Sequence, residues 1–159
     1  MTDGMKKSWD EIIQADQRFW VALQALLVGA RAERLEILRS GLTTALDSAL
    51  RVLGHVGSDE VEELLPELLH LAGGVHRHLW QVRALIRNLP KDRLVARIER
   101  LAEPILASGD AQEYYRFLEL YAQIDYGLTE RLAKRAASSA DHDIREAGQS
   151  FLEKLREHK

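Results

Sequence analysis

Histidines are the residues whose type and spacing come closest to a metal site in this chain. His70, His76 and His78 lie near one another in the sequence, and Asp141-His142-Asp143 places a histidine between two acids. Histidines two positions apart project to opposite sides of a helix, and no carboxylate or His-x3-His spacing completes a ligand set. The acids beside His142 fall in a polar break, where a capped turn explains them. We therefore predict no metal site and no cofactor.

Motifs of enzymes are missing from the sequence. It contains no phosphate-binding loop, no nucleophile elbow and no histidine in a triad-like context. It also lacks cysteine, which excludes disulfides, thiolate metal ligands and cysteine nucleophiles and is compatible with a reducing cytoplasm. No export signal or apolar run long enough for a membrane span is found. We expect a non-enzymatic cytoplasmic protein with no membrane partner.

Charge is distributed unevenly along the middle of the chain. Residues 59–67 hold five acids and no base. The bases of residues 76–100, which we call the basic strip, are Arg77, Arg83, Arg87, Lys91, Arg93, Arg97 and Arg100. Arg83 and Arg87 lie one helical turn apart and could hold carboxylates or phosphates of a partner. Alternatively, acidic and basic helices neutralise each other across neighbouring hairpins.

Aromatic side chains form two clusters. The first consists of Trp9, Phe19 and Trp20, and the second of Tyr114, Tyr115, Phe117, Tyr121 and Tyr126. Tyr114, Phe117 and Tyr121 share one helical face, whereas Tyr115 lies off it. Such a face serves either as a buried core or as a binding groove, and both interpretations stay open.

Helical periodicity covers most of the chain, and no run of alternating β-branched residues predicts a strand. The first helix is predicted from about Trp9 to Val28. Pairs with the spacing of a capping box predict helix starts at Ser8–Glu11, Asp59–Glu62, Asp110–Glu113 and Asp143–Glu146. The stretch 41–44 predicts a break into two helices, and Pro66 predicts a kink.

An arginine recurs at nearly constant intervals. The dipeptides Gln17-Arg18, Leu50-Arg51, Val82-Arg83, Tyr115-Arg116 and Ile144-Arg145 are separated by 33, 32, 33 and 29 residues. A period of this size is typical of helical-hairpin arrays. The competing explanations are chance alignment among many arginines and a helical bundle with regularly capped segments.

Parts of the chain resemble HEAT repeats. The segment 139–147, with its acidic turn followed by Ile144-Arg145, is similar to the turn and second-helix start of such repeats, and 110–116 has the same spacing. The segment 64–69 is similar to their proline-kinked first helix. The resemblance covers residues 42–155, although the turn at 73–77 lacks the acidic residue. It implies an all-α fold, a short right-handed α-solenoid of three to four hairpins used as a protein-binding scaffold.

Residues 1–41 match this pattern poorly, so we predict an N-terminal helical cap at 1–41 followed by HEAT-like repeats at 42–159. A protein or peptide partner is expected on the ridge of second helices, and a homodimer could form through the N-terminal aromatic helix. The side chains predicted to bind the partner are Arg83, Arg87, Tyr115, Arg116, Arg93 and Arg97. The alternative function is nucleic-acid binding through the basic strip, although the net charge of -3 opposes binding by the whole surface.

Overall fold

The computed structural model describes residues 3–157, which fold into ten α-helices with no strand in that range, so the predicted all-α class is confirmed. The helices are α1 (Asp3–Val28), α2 (Arg31–Thr44), α3 (Leu46–Leu53), α4 (Ser58–Glu63), α5 (Leu65–Gly73), α6 (Leu79–Arg87), α7 (Lys91–Ser108), α8 (Ala111–Ala122), α9 (Tyr126–Ala137) and α10 (His142–Glu157). None of them is long and apolar enough to cross a membrane.

The chain divides into two compact units, Met1–Val52 and Leu53–Lys159, which we call unit 1 and unit 2. The boundary predicted from the repeat pattern, after Gly41, falls inside α2. Gly41 lies close to α3, because a Cβ placed on it would be 3.2 Å from the Cβ of Ala49. The predicted break between α2 and α3 occurs at Ala45, and contact across it keeps most of α3 in unit 1.

Unit 1 is held together by the C-terminal half of α1. Leu23 is the buried residue of α1, and α1 packs on α2. The buried Arg34 donates hydrogen bonds to the Leu26, Leu27 and Gly29 carbonyl oxygens, which satisfies acceptors that a helix C-terminus leaves unpaired. Arg51 pairs with Asp16 at 2.6 Å, and so ties α3 to the middle of α1.

Unit 2 has a continuous apolar core. Helix α5 packs on α6, α7 and α8, while α8 packs on α9 and α10, which pack on each other. The most deeply buried side chains are Leu64, Leu65, Leu68, Leu69, Val82, Ile86, Leu94, Ile98, Phe117, Leu118, Leu120, Tyr121 and Leu128. Phe117 and Tyr121 are therefore core residues, and burial of this apolar surface is the main stabilising contribution to the unit.

Of the predicted capping boxes, Asp110–Glu113 at α8 is confirmed, with both reciprocal hydrogen bonds present. The other three are wrong. Helix α1 already includes Asp3, so the Ser8 hydroxyl donates to the Gly4 carbonyl oxygen within the helix. Helix α4 begins at Ser58, where no side chain caps it. In α10 the capping acceptor is Asp141.

The predicted kink at Pro66 takes the form of a break between α4 and α5. Pro66 lies in the first turn of α5, where its missing N–H costs nothing. Leu64 and Leu65 at the break are fully buried. The break therefore lets two short helices present leucines to the same core.

Gly148 sets the distance between α9 and α10. A Cβ on this residue would lie 2.7 Å from the Ala133 carbonyl oxygen and would collide with the Ala137 nitrogen. Backbone atoms cannot yield as a flexible side chain can, so only glycine permits this crossing.

We expect Gly148→Ala to destabilise unit 2 by about 1–3 kcal/mol, because overpacking outweighs the helix propensity that alanine adds. The matched control is Gly4→Ala in α1, where a Cβ meets nothing within 4 Å. Chemical denaturation measures both. A Gly148→Ala variant as stable as the wild type would contradict the tight crossing.

Candidate functional site

Two arginines of the basic strip that lie on α7 form ion pairs with carboxylates of α4. Arg93 donates to Asp59 at 2.8 Å and lies 2.5 Å from a carboxylate oxygen of Glu62. Arg97 binds the other oxygen of Glu62 at 2.5 Å. Asp59 and Glu62, predicted to cap α4, therefore pair with α7. The hydrogen bond that Arg93 donates to Asp59 raises the pKa of Arg93.

The arginines of α6 point to α8 instead. Arg83 donates to Glu119 at 2.9 Å and to the Arg116 carbonyl oxygen at 3.1 Å. The Arg83 side chain is only 12% exposed, whereas that of Glu119 is 37% exposed, so the arginine side of the pair is the shielded one. Arg87 donates to Gln123 at 3.1 Å. These contacts connect α6 with α8 and with the residue that follows it.

A third group of contacts connects α7 with α9. Arg131 forms a bidentate pair with Glu99, with both distances at 2.9 Å, and Arg135 holds Glu103 in the same way. The hydrogen bond from Arg135 lowers the pKa of the Glu103 carboxyl, and the same bond raises the pKa of Arg135. Fork-shaped pairs of this kind hold orientation as well as charge.

Together these contacts form what we call the inter-hairpin network. Its cross-helix hydrogen bonds between side chains join residues 32 to 36 positions apart. That range overlaps the intervals of 29 to 33 residues at which arginines recur in the sequence. Acids of residues 59–67 thus pair with arginines of the basic strip inside unit 2. This agrees with the interpretation that acidic and basic helices neutralise each other.

The residues predicted to bind a partner now fall into two groups. Arg83, Arg87, Arg93 and Arg97 belong to the inter-hairpin network, and Arg116 donates to the Gly73 carbonyl oxygen at 2.8 Å. Tyr115 differs, because its side chain is 38% exposed and its ring meets the Phe151 edge at 5.4 Å between centroids. Partner binding through any of these side chains stays a prediction.

Tyr115 lines a groove of about 700 Å³ between the N-terminal parts of α8 and α10. Ile144, Ala147 and Ser150 follow one another at helical spacing along its α10 side. The remaining lining residues are Gly109, Asp110, Ala111, Gln112, Asp141, Asp143 and Glu146. The small residues of α10 leave room beside the tyrosine ring. Their three-residue spacing was a signal in the sequence that could have predicted this groove.

Four carboxylates and no basic side chain line this groove, which we call the acidic groove. Asp110 and Asp141 use an oxygen to accept backbone N–H groups at the starts of α8 and α10. Asp143 and Glu146 are exposed. The groove therefore combines an aromatic face with negative charge, a combination that suits a cation. Lys154 of α10 already places its ammonium group 5.9 Å from the centroid of the Tyr115 ring.

Histidines take local roles. His76 bonds the Leu71 carbonyl oxygen at 2.8 Å and accepts the backbone N–H of His78, so it stabilises the turn after α5. At the groove rim, ligand atoms of His142, Asp143 and Glu146 lie within 4.8 Å of one another, and all three side chains are exposed. The predicted polar turn is formed there, with Asp141 as its capping residue.

No known protein family, no curated protein and no solved structure matches this chain. Its function must therefore be argued from the geometry of its own residues.

The hydroxyl of Tyr121 is buried beneath the ion pairs between α7 and α9. Tyr121 is 1% exposed, its hydroxyl has no hydrogen-bond partner within residues 3–157, and burial raises its pKa. We expect Tyr121→Phe to stabilise unit 2 by about 1 kcal/mol, because it removes an unpaired buried polar group. Tyr115→Phe, the control, removes a hydroxyl from a tyrosine that is 38% exposed and should change the stability by less than about 0.5 kcal/mol. Thermal unfolding distinguishes them, and a destabilised Tyr121→Phe would reveal a missed partner.

Asp125 generates a prediction about pH. It accepts the Leu128 N–H at 3.1 Å and pairs with Lys91 at 3.1 Å, and these contacts lower its pKa. A lowered pKa in the folded state adds stability above the unfolded pKa of about 3.9, and that stability is lost as pH falls through the folded value.

Asp125→Asn keeps a capping acceptor but loses the charge, so we expect it to cost up to about 1 kcal/mol at pH 7. The difference from wild type should shrink toward zero in acid, as denaturation curves at several pH values will measure. Glu153→Gln, an exposed change on α10, should show no such convergence. A constant difference at every pH would contradict the charge argument.

Proposed function

We propose that unit 2 is a short right-handed array of HEAT-like helical hairpins, and that it is a non-enzymatic scaffold for a protein or peptide partner. Its first helices would be the broken helix α4–α5, α7 and α9, and its second helices α6, α8 and α10. The observation in support is the spacing of the inter-hairpin network, in which contacts between corresponding helices recur about one hairpin length apart. Repeat arrays bury each unit against its neighbours in this manner.

We propose that the partner binds in the acidic groove. It lies between two second helices, α8 and α10, and includes Tyr115 from the predicted ridge. An extended peptide with lysine or arginine side chains would place cations beside Asp143 and Glu146 and an aliphatic stem or ring against Tyr115. Tyrosine suits such contacts because it offers a large rigid surface with a polar end.

The arginines predicted on the ridge would then hold the helices in place and would not contact the partner themselves. Arg116 holds the C-terminal end of α5, and Arg83 joins α6 to α8. Each contributes to the shape of the surface on which the partner lies. Nucleic acid, the alternative partner, has weaker support, because network arginines face acids of their own chain and carboxylates of the groove repel phosphates.

The test uses fluorescent peptides of equal length, one rich in lysine and arginine, one acidic and one neutral, together with a single-stranded oligonucleotide. Fluorescence anisotropy should show that the basic peptide binds, with affinity that falls as salt rises. The combined change Asp143→Asn with Glu146→Gln should weaken that binding about tenfold, the sum of two exposed charge contacts.

The matched control is Glu153→Gln with Glu157→Gln, which removes the same charge from exposed positions farther along α10. It should leave affinity within about twofold of wild type. Equal loss in both double variants, or preferential binding of the oligonucleotide, would overturn the assignment of the acidic groove.

A further inference from the structure

Helix α1 is much longer than the part of it that unit 1 covers. Its 26 residues span about 39 Å, whereas the 14 residues of α2, which folds back along it, span about 21 Å. Among the described residues, Asp16 is the first along α1 to form an ion pair with another helix of unit 1, through Arg51. Every residue from Asp3 to Ala15 is exposed. About half of α1 therefore projects as an uncovered helix.

The uncovered half carries an apolar stripe. Met5, Trp9 and Ile12 recur at intervals of four and three residues, with Ile13 beside them, and so lie on one face. Trp9 is 59% exposed and Ile12 is 58% exposed. Continued along the helix, the same face reaches the buried Leu23, so the stripe extends the packing surface of unit 1 beyond the point where α2 and α3 cover it.

Exposure of this kind is unfavourable in an isolated molecule. A projecting helix of this length is marginally stable in water without a packing partner. Its tryptophan also leaves a large apolar area in contact with solvent, and contiguous patches of this type mark interaction surfaces.

We propose that the partner is a second copy of this chain, with the two α1 helices packed antiparallel around a two-fold axis near Trp9. In this register Met5 of one copy lies against Ile12 of the other, and the two Trp9 side chains lie side by side. Lys6 of each copy then lies beside Asp10 of the other. A parallel pairing would instead bring Lys6 level with Lys6, so the charge pattern favours the antiparallel arrangement.

The buried area suits such a dimer. Trp9, Met5 and the two isoleucines from both copies would together remove roughly 1,000 Å² from solvent at most, the size of a weak, reversible interface. A membrane surface is a poorer partner, because the projecting half holds Asp3, Asp10 and Glu11 against Lys6 and Lys7. Helices that lie on anionic membranes carry an excess of basic residues on the polar face.

Sedimentation velocity over a range of concentrations tests the proposal. The wild type should show a reversible monomer–dimer equilibrium, and Trp9→Glu with Ile12→Glu should raise the dissociation constant about 100-fold or more. The control is Val21→Glu, which places one such carboxylate at a 74% exposed valine on the opposite side of α1. It should dimerise like the wild type. Circular dichroism confirms that each variant is folded.

Orientation is tested by single cysteines, because the chain has none of its own. Ser8→Cys, near the proposed axis, should form a disulfide-linked dimer under mild oxidation, and Asp3→Cys should not. Cross-linking of both would overturn the antiparallel register. A monomer at all concentrations, or a dimer that persists in the Trp9→Glu, Ile12→Glu variant, would overturn the dimer itself. Binding of the monomer to vesicles with anionic lipid would assign the stripe to a membrane.

Discussion

Charge pairing between helices one hairpin apart is the constraint on which the arrangement of unit 2 depends. The pairs Arg93–Asp59, Arg83–Glu119 and Arg131–Glu99 each join helices that are not consecutive in sequence. Exposed pairs of this kind contribute at most about 1 kcal/mol each, so the apolar core supplies the stability. The network contributes orientation, because a bidentate arginine tolerates little sliding of one helix past the next.

Close packing at Gly148 determines where the acidic groove forms. Gly148 brings α10 against the backbone of α9, while Tyr115 and Phe151 keep α10 beside α8. The start of α10 therefore lies beside the start of α8. The capping residues Asp110 and Asp141 therefore line the same groove, although they are thirty-one positions apart in the sequence. The negative charge of the groove is thus a consequence of helix capping and helix packing together.

Unit 1 and unit 2 use their exposed aromatic residues differently. Tyr115 packs against Phe151, lines a groove with four carboxylates and has Lys154 beside its ring, 5.9 Å from the ring centroid. Trp9 lies on a projecting helix with mixed charge, an environment that a second copy of the same helix can complement. The scaffold and the dimer are independent proposals. If both are correct, dimerisation would present two grooves per particle and would raise the affinity for a partner with repeated basic segments.

Local sequence patterns predicted the helical class, the breaks near Gly41 and Pro66, and the Asp110–Glu113 cap, because these depend on residues within one turn of each other. It did not determine the role of Asp59 and Glu62. An acid three residues before a glutamate has the same local pattern whether it caps its own helix or pairs with Arg93 on another. The two roles are distinguished only by how α4 and α7 pack. The energy of an ion pair depends on the distance between groups, and packing alone brings residues thirty-four positions apart within reach.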